Sequence, residues 1–383
     1  MVLLGTIAGS AAFGDAAAIV TLMLRLYRAD HPTWAITAML FAILGPSVIL
    51  APFAGRVLAR TRLGPALIGV SACQAAAAVA LIFFRSAPLT LLLVAVIGAG
   101  LAVTAPTLLQ LTPSLVDPGR LTWANSLSRS ADWSGWTAGP VVGGALCALG
   151  VPAAALALEA ASFVIAGACF AVLALRVTQQ TPEPAPAAGR LGLTITAALG
   201  RIRRDRVLTG LLASVVVTNL CVSMIGVAEV FFARDVLRTG SLGFAMLSSA
   251  WFAGMIAGTL VAPRADVWRP ALMTLAGIGL AGAGIIGVAA TGGLIVALLP
   301  YGLAGAGFGL QSTIVRGLMQ RRAAGPSLGA VTGVWVAADM TSQLAGYLAG
   351  GAAMVAGARF TFAIAGAGLC VASLGGRLAG GQV

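Results

Sequence analysis

The chain contains no lysine: all 23 of its basic residues are arginine. That absence excludes a Walker-A phosphate loop, which ends in GK[ST], and every lysine-based covalent mechanism. Histidine is nearly missing as well. With His31 alone, in an expected loop, no two-histidine zinc motif or His-rich metal site can be assembled. The five cysteines (Cys73, Cys147, Cys169, Cys221 and Cys370) are scattered through apolar stretches without CxxC spacing and read as small buried hydrophobes. Charge is scarce at 9%, against the ~25% usual in soluble domains. No metal, cofactor or enzymatic activity is expected from this inventory.

What the chain has in abundance is apolar length. Hydrophobic residues make up 59% of its 383 residues, and mean hydropathy is +1.00. A helix rising ~1.5 Å per residue needs about 20 apolar residues to cross a ~30 Å hydrocarbon core. Apolar runs punctuated by Arg, Pro and Asp predict twelve such helices. They fall at residues 3–26, 34–55, 64–84, 88–113, 122–149, 152–176, 207–233, 243–262, 270–290, 293–316, 329–356 and 359–378. The first span lacks the basic n-region and the cleavage site of a secretory signal, so it is expected to be retained. The expected fold is an all-α integral membrane protein with twelve transmembrane helices.

Net charge of +12 would hint at nucleic acid in a soluble chain. Here most arginines flank hydrophobic spans, so they orient loops, and the bilayer rather than nucleic acid is the expected surroundings. With the N-terminus inside, sixteen arginines fall on the cytoplasmic face and six (Arg25, Arg28, Arg85, Arg234, Arg238 and Arg359) on the other. Both termini are therefore expected in the cytoplasm. Arginine-only, Ala/Gly-rich usage points to a high-GC bacterium, hence to a multi-pass protein of its inner (plasma) membrane.

One long connection interrupts the spans. It opens Pro-rich at Thr181–Pro186, which reads as linker, and continues from Gly189 to Arg204 as a basic, partly apolar helix expected to lie on the inner leaflet. The expected domains are residues 1–176, a six-helix bundle; 177–206, a cytoplasmic linker with a basic amphipathic segment; and 207–383, a second six-helix bundle.

The halves resemble each other. Residues 131–144 read ADWSGWTAGPVVGG and 337–351 read AADMTSQLAGYLAGG. A slide of 207 superposes Asp132 on Asp339, Ala131 on Ala338, Ala138 on Ala345, Gly139 on Gly346, Gly143 on Gly350 and Gly144 on Gly351. A shared aspartate inside two lipid-spanning helices makes spans five and eleven candidate equivalents in a two-fold repeat.

Ionisable residues inside spans are few: Asp15, Arg129, Asp132, Glu159, Glu229 and Asp339. Each Asp or Arg at a helix centre costs about 2.5–3.5 kcal/mol when it faces lipid. They should therefore face protein or a watery cavity. Asp15, Asp132 and Asp339 fall near the bilayer midplane and are the candidate proton-coupling residues. Arg129 and Asp132 are spaced i, i+3, so Arg129 is the candidate charge partner, in a static or a switching pair. Glu159 and Glu229 lie toward the outer ends of spans six and seven, where interfacial solvation or packing is the expected role.

Span five carries Gly135, Gly139 and Gly143 on one face, with Pro140 and Gly144 completing GxxxGPxxGG. Such a stripe admits a neighbouring backbone, and Gly254 and Gly258 of span eight are the expected partner stripe. Gly277–Gly282 matches GxGxxG but lies inside an apolar span with no strand before it, so it is set aside as a nucleotide site.

These segments resemble the major facilitator superfamily, in particular the twelve-span exporters that include enterobactin exporters and macrolide-efflux proteins. GxxxGPxxGG is similar to the later part of the antiporter motif of span five, although its earlier glycine is Ser126 here. Ser10–Asp15, Ala51–Gly55, Leu115–Asn125 and Ala160–Phe163 also fit the family. The family's loop motif, GxLADRxGRR, is represented by Gly55, Arg60 and Arg62, with Ala59 where the aspartate belongs. The RxxQG motif of drug/proton antiporters is missing from span four, where Gln110 remains. The resemblance implies two pseudo-symmetric six-helix bundles working by alternating access.

Trp34, Trp123 and Trp268 sit at span ends as interface anchors do. Trp133, Trp136 and Trp335 lie deeper and, with Gln110, are the candidate substrate-lining residues, packing being the other role open to the tryptophans. The expected function is proton-coupled efflux of a small amphiphilic molecule such as a drug, siderophore or metabolite, by a monomer with protons and substrate as its partners. An importer of a small solute is the alternative, followed by a non-transporting membrane receptor.

Overall fold

The structure is a computed structural model describing residues 2–27, 32–60, 63–115, 121–177, 191–268, 270–323 and 328–380. Among the described residues every regular element is helical. The chain forms two compact units, Met1–Ala185 and Pro186–Val383. The first holds α1 (Val2–Leu26), α2 (Pro32–Arg60), α3 (Leu63–Phe83), α4 (Ala87–Leu115), α5 (Leu121–Ala148) and α6 (Pro152–Val177). The second holds α7 (Leu191–Arg204), α8 (Arg206–Phe231), α9 (Ser241–Trp268), α10 (Pro270–Ala290), α11 (Leu294–Arg322), α12 (Leu328–Ala353) and α13 (Ala358–Gly380). A π-helical turn, Phe232–Val236, extends α8, and a 3-10 turn, Met354–Ala356, closes α12.

Each of the twelve expected spans coincides with a helix. Pro32, Pro152 and Pro270 open α2, α6 and α10 at the first helical position, where a missing N–H costs nothing. The ends of α2, α9 and α11 run past the apolar windows to Arg60, Trp268 and Arg322. Hydropathy stops where side chains turn polar, whereas backbone hydrogen bonding continues. Among the described residues ten helices are long and apolar enough to cross a membrane; α5 and α12, the two that carry Asp132 and Asp339, fall outside that set. Large apolar side chains such as Phe83 (72% exposed) and Ile295 (84% exposed) point outward, as a lipid-facing surface requires and water would penalise.

The repeat extends to helix pairing. In the first unit α1 packs on α5 and α6, α2 on α4, and α3 on α4 and α6. In the second α8 packs on α12 and α13, α9 on α11, and α10 on α11 and α13. Individual contacts recur at the same offset of 207. A Cβ on Gly139 would lie 2.6 Å from the Phe13 carbonyl oxygen, and one on Gly143 would crowd Ala17. The corresponding atoms on Gly346 and Gly350 would meet Leu220 and Met224. The turns after α5 and α12 are matched as well: Gly150 and Gly357 both have positive φ, 78° and 95°, a conformation that disfavours any Cβ.

The small-residue stripe of α9 has a different partner from the one expected. Cβ atoms on Gly254 and Gly258 would meet Gly302, Ala306 and Leu310 of α11, while the α5 stripe is taken up by α1. Both stripes are satisfied inside their own units. The GxGxxG run in α10 is also packing: Gly277 meets Gly307 of α11, and Gly282 meets Gly366 of α13.

α7 packs against protein near its C-terminal end. Ala198 and Ile202 are buried in a cluster with Leu208, Leu211 and Val215 of α8, Val315 and Met319 of α11, and Val331 and Trp335 of α12. Arg201 donates to the Arg322 carbonyl (2.9 Å), and the Thr209 hydroxyl donates to the Ile202 carbonyl (2.7 Å). Asp205 ends α7 and caps α8, accepting from Val207 N (2.9 Å) and Leu208 N (3.3 Å), with Arg322 3.9 Å away. Arg203 and Arg204 stay exposed. Two arginines of the opposite face are also structural: Arg25 donates to the Leu81 carbonyl (2.9 Å) at the end of α3, and Arg359 to the Thr291 carbonyl (2.9 Å) just past α10.

Removing the cap by Asp205→Ala should lower stability by about 1 kcal/mol, and Asp205→Asn should retain most of it; thermal unfolding of the purified protein reads both. Gly139→Ala and Gly346→Ala should each destabilise by about 1–3 kcal/mol through overpacking. Gly69→Ala, where a Cβ meets open space, should be neutral or stabilising by up to about 1 kcal/mol. The same melts decide the sign of each.

Candidate functional site

In the first unit α1 brings Asp15 between α5 and α6. The α5 side is fixed by the glycine stripe: a Cβ on Gly135 would lie 2.7 Å from the Gly9 carbonyl oxygen, with Gly139 and Gly143 crowding the next turns of α1. Pro140 and Gly144 are buried on the same helix, which runs continuously through the proline. This contact sets Asp132 near enough for its charge to act on Asp15.

The α6 side supplies a residue that the sequence reading assigned to interfacial solvation or packing. Glu159 is 2% exposed, and its carboxyl group stands within hydrogen-bonding reach of that of Asp15. Gly14 makes the space: a Cβ there would lie 2.6 Å from Glu159 Oε2 and 2.6 Å from Ser162 Oγ. Ser162 itself donates to the Glu159 carbonyl at 2.8 Å. The sequence signal for this meeting was faint. A glycine precedes the acid of span one, and a serine follows the acid of span six by one turn.

In the second unit Asp339 of α12 is held by amides. Asn219 of α8 donates to Asp339 Oδ1 at 2.5 Å, and Gln343 donates to Oδ2 at 3.0 Å. Arg316 of α11 is close enough for its charge to reach the carboxyl group. No basic residue lies within a turn of Asp339 along α12, so this cation comes from a neighbouring helix. Asn219 is the residue that sequence reasoning missed; it lies one slide of 207 from Ala12, a position with no polar counterpart.

Glu229 lies among three helices, α8, α9 and α11. It accepts from Ser248 Oγ of α9 (2.5 Å) and from the Tyr301 hydroxyl of α11. The Trp251 ring stands 5.3 Å from Tyr301 and 5.7 Å from Phe308, closing an aromatic cluster beside it.

Among the substrate-lining candidates, Trp133 and Trp136 are half-buried on α5, and Thr137 Oγ1 donates to the Trp133 carbonyl at 2.8 Å. Trp335 is 8% exposed, its ring enclosed by the cluster under α7. The side chains of Gly55, Arg60, Gln110 and Arg129, and all of Arg62, lie outside the described residues. The structure thus brings together Asp15, Asp132 and Glu159 in one unit, and Asp339, Asn219 and Gln343 in the other.

The two units share one pattern of helix pairing, and each places an aspartate among its helices. Residues 2–346 match the family model described as Major Facilitator Superfamily. The chain belongs to the major facilitator superfamily. It is accordingly a membrane transporter and not an enzyme. Its fold is similar to that of an auto-inhibited POT family peptide transporter, at 17% identity and a TM-score of 0.72, covering 100% of this chain and 96% of that one. It is also similar to the nucleoside transporter NupG, at 9% identity and 0.76, covering 98% of each chain. A bacterial homolog of the human lysosomal transporter Spinster, in an inward-facing and unoccupied conformation, matches at 14% identity and 0.69, covering 98% and 95%. No curated protein is matched by the sequence.

Replacing Asn219 by Leu should destabilise the second bundle by about 1–3 kcal/mol, because it leaves Asp339 Oδ1 without its donor. Exchanging the pair, Asn219→Asp with Asp339→Asn, should recover most of that loss in thermal unfolding.

Proposed function

We propose that this superfamily member is a proton-coupled exporter of small amphiphilic molecules, such as drugs, siderophores or metabolites, working by alternating access. The observation that carries the coupling is the seating of intramembrane carboxyl groups inside the helix bundles: Asp15 with Asp132 close by, and Asp339 against amides. An acid there binds and releases a proton as its surroundings alternate between the two sides of the membrane. Asp15 and Asp339 are the proposed proton carriers, with Asp132 and Arg129 as a charge pair beside them. Export, rather than import, is supported by the GxxxGPxxGG stripe of α5, whose tight seat on α1 makes it an interface that must slide or seal.

The proposed setting is a bacterial inner membrane, with both termini cytoplasmic and the chain acting as a monomer. The proposed bundles are residues 1–176 and 207–383, joined by 177–206.

Expression in an efflux-deficient bacterial host, wild type against Asp15→Asn at matched abundance, tests the reading. Raised tolerance to some toxic compounds, lost in the variant, is the expected result. Tolerance that survives the variant would move coupling to Asp132 or Asp339. Added sensitivity to a compound would favour the importer.

A further inference from the structure

Glu159 is buried seven residues beyond the start of α6, about 10 Å along the helix. Its Oε2 has no assigned hydrogen-bond donor among the described residues. A buried carboxyl group is costly unless something compensates it. The compensation at Glu159 is another acid. Its neighbours are the Asp15 carboxyl group, the Ser162 hydroxyl, whose proton is given to a backbone carbonyl, and the gap left by Gly14.

The remaining ionisable groups around the pair are few. α5 contributes Asp132, a further negative charge, and Arg129, whose side chain is outside the described residues. α2, which also touches α1, has its only ionisable residues, Arg56 and Arg60, at its far end. α3, packed on α6, offers only Cys73, which is exposed.

A hydrogen bond between two carboxyl groups requires one proton, donated by one acid and accepted by the other. Two carboxylates in that position would repel each other, with Asp132 adding to the repulsion. We propose that Asp15 and Glu159 hold one proton between them and act as a single proton-carrying unit, with Glu159 as the second acceptor and Gly14 as the residue that lets the two meet. The balance is simple. The pair with one proton carries one negative charge; a second proton converts the remaining carboxylate to the acid and removes that charge, and release restores it. This rests on the proton-coupled reading above and extends it by naming the group that the proton occupies.

Infrared difference spectra of the purified full chain in lipid vesicles, between acidic and alkaline buffer, test the pair without knowledge of the substrate. The readout is the C=O band of protonated carboxyl groups. Asp15→Asn and Glu159→Gln should each abolish the same component, and the double variant should remove nothing further. Two separate components that add in the double variant would overturn the proposal. Gly14→Ala keeps both acids but pushes Glu159 away, and it should split the shared component in two; an unchanged band would also overturn it. A shared component combined with full drug tolerance in Asp15→Asn would leave the pair standing and move the coupling away from it, to Asp132 or Asp339. Additive components combined with lost tolerance would do the reverse.

Discussion

In hydrocarbon, apolar surfaces gain little by leaving lipid for each other, so helices hold together by how closely their backbones approach. The approach of α5 to α1 is the contact on which the first bundle depends. Gly135, Gly139 and Gly143 present backbone to backbone, and no side chain can be inserted there without displacing one of the helices. That contact fixes the rotation of α1, and the rotation decides which residues its other side offers. With Gly139 seated on Phe13, the neighbouring Gly14 and Asp15 face Glu159 and Ser162 of α6. A steric constraint on one face of a helix thus sets the acid chemistry on another.

The second bundle keeps the constraint and changes the chemistry. Gly346 and Gly350 seat α12 on α8 at the equivalent positions, yet the repeated aspartate meets Asn219 and Gln343 instead of an acid. An amide donates but cannot exchange its proton at ordinary pH, whereas a carboxyl group can do both. The halves have therefore retained their scaffold and diverged in what they place around the acid. Glu229, bound by Ser248 and Tyr301, is a third arrangement, in which hydroxyl donors answer a carboxyl group.

The fold was legible because lipid imposes a strong signal: most spans are long apolar runs, and the helix ends departed from the reading chiefly where α2, α9 and α11 continue past the apolar windows into polar, arginine-bearing sequence. The repeat was legible at Asp132, Asp339 and the glycines. The partners were not. Which helix receives Gly254 and Gly258 depends on three-dimensional pairing, and a stripe of small residues fits several neighbours equally well. Glu159 was underestimated for the same reason: distance from a helix end says nothing about what stands opposite. Asn219 is an ordinary polar residue until α12 is laid against α8. The α7 helix was read correctly as basic and partly apolar, but composition does not distinguish a lipid face from a protein face at Ala198 and Ile202.

The left-handed glycines that follow α5 and α12 have a consequence for how the two halves can be compared. Side chains in spans drift freely among Ala, Val, Leu and Ile, because lipid accepts them all, so sequence matches there decay quickly. Gly150 and Gly357 have no such freedom. They serve as fiducial marks, fixed in register by backbone geometry rather than by side-chain chemistry, against which a diverged duplication can still be aligned.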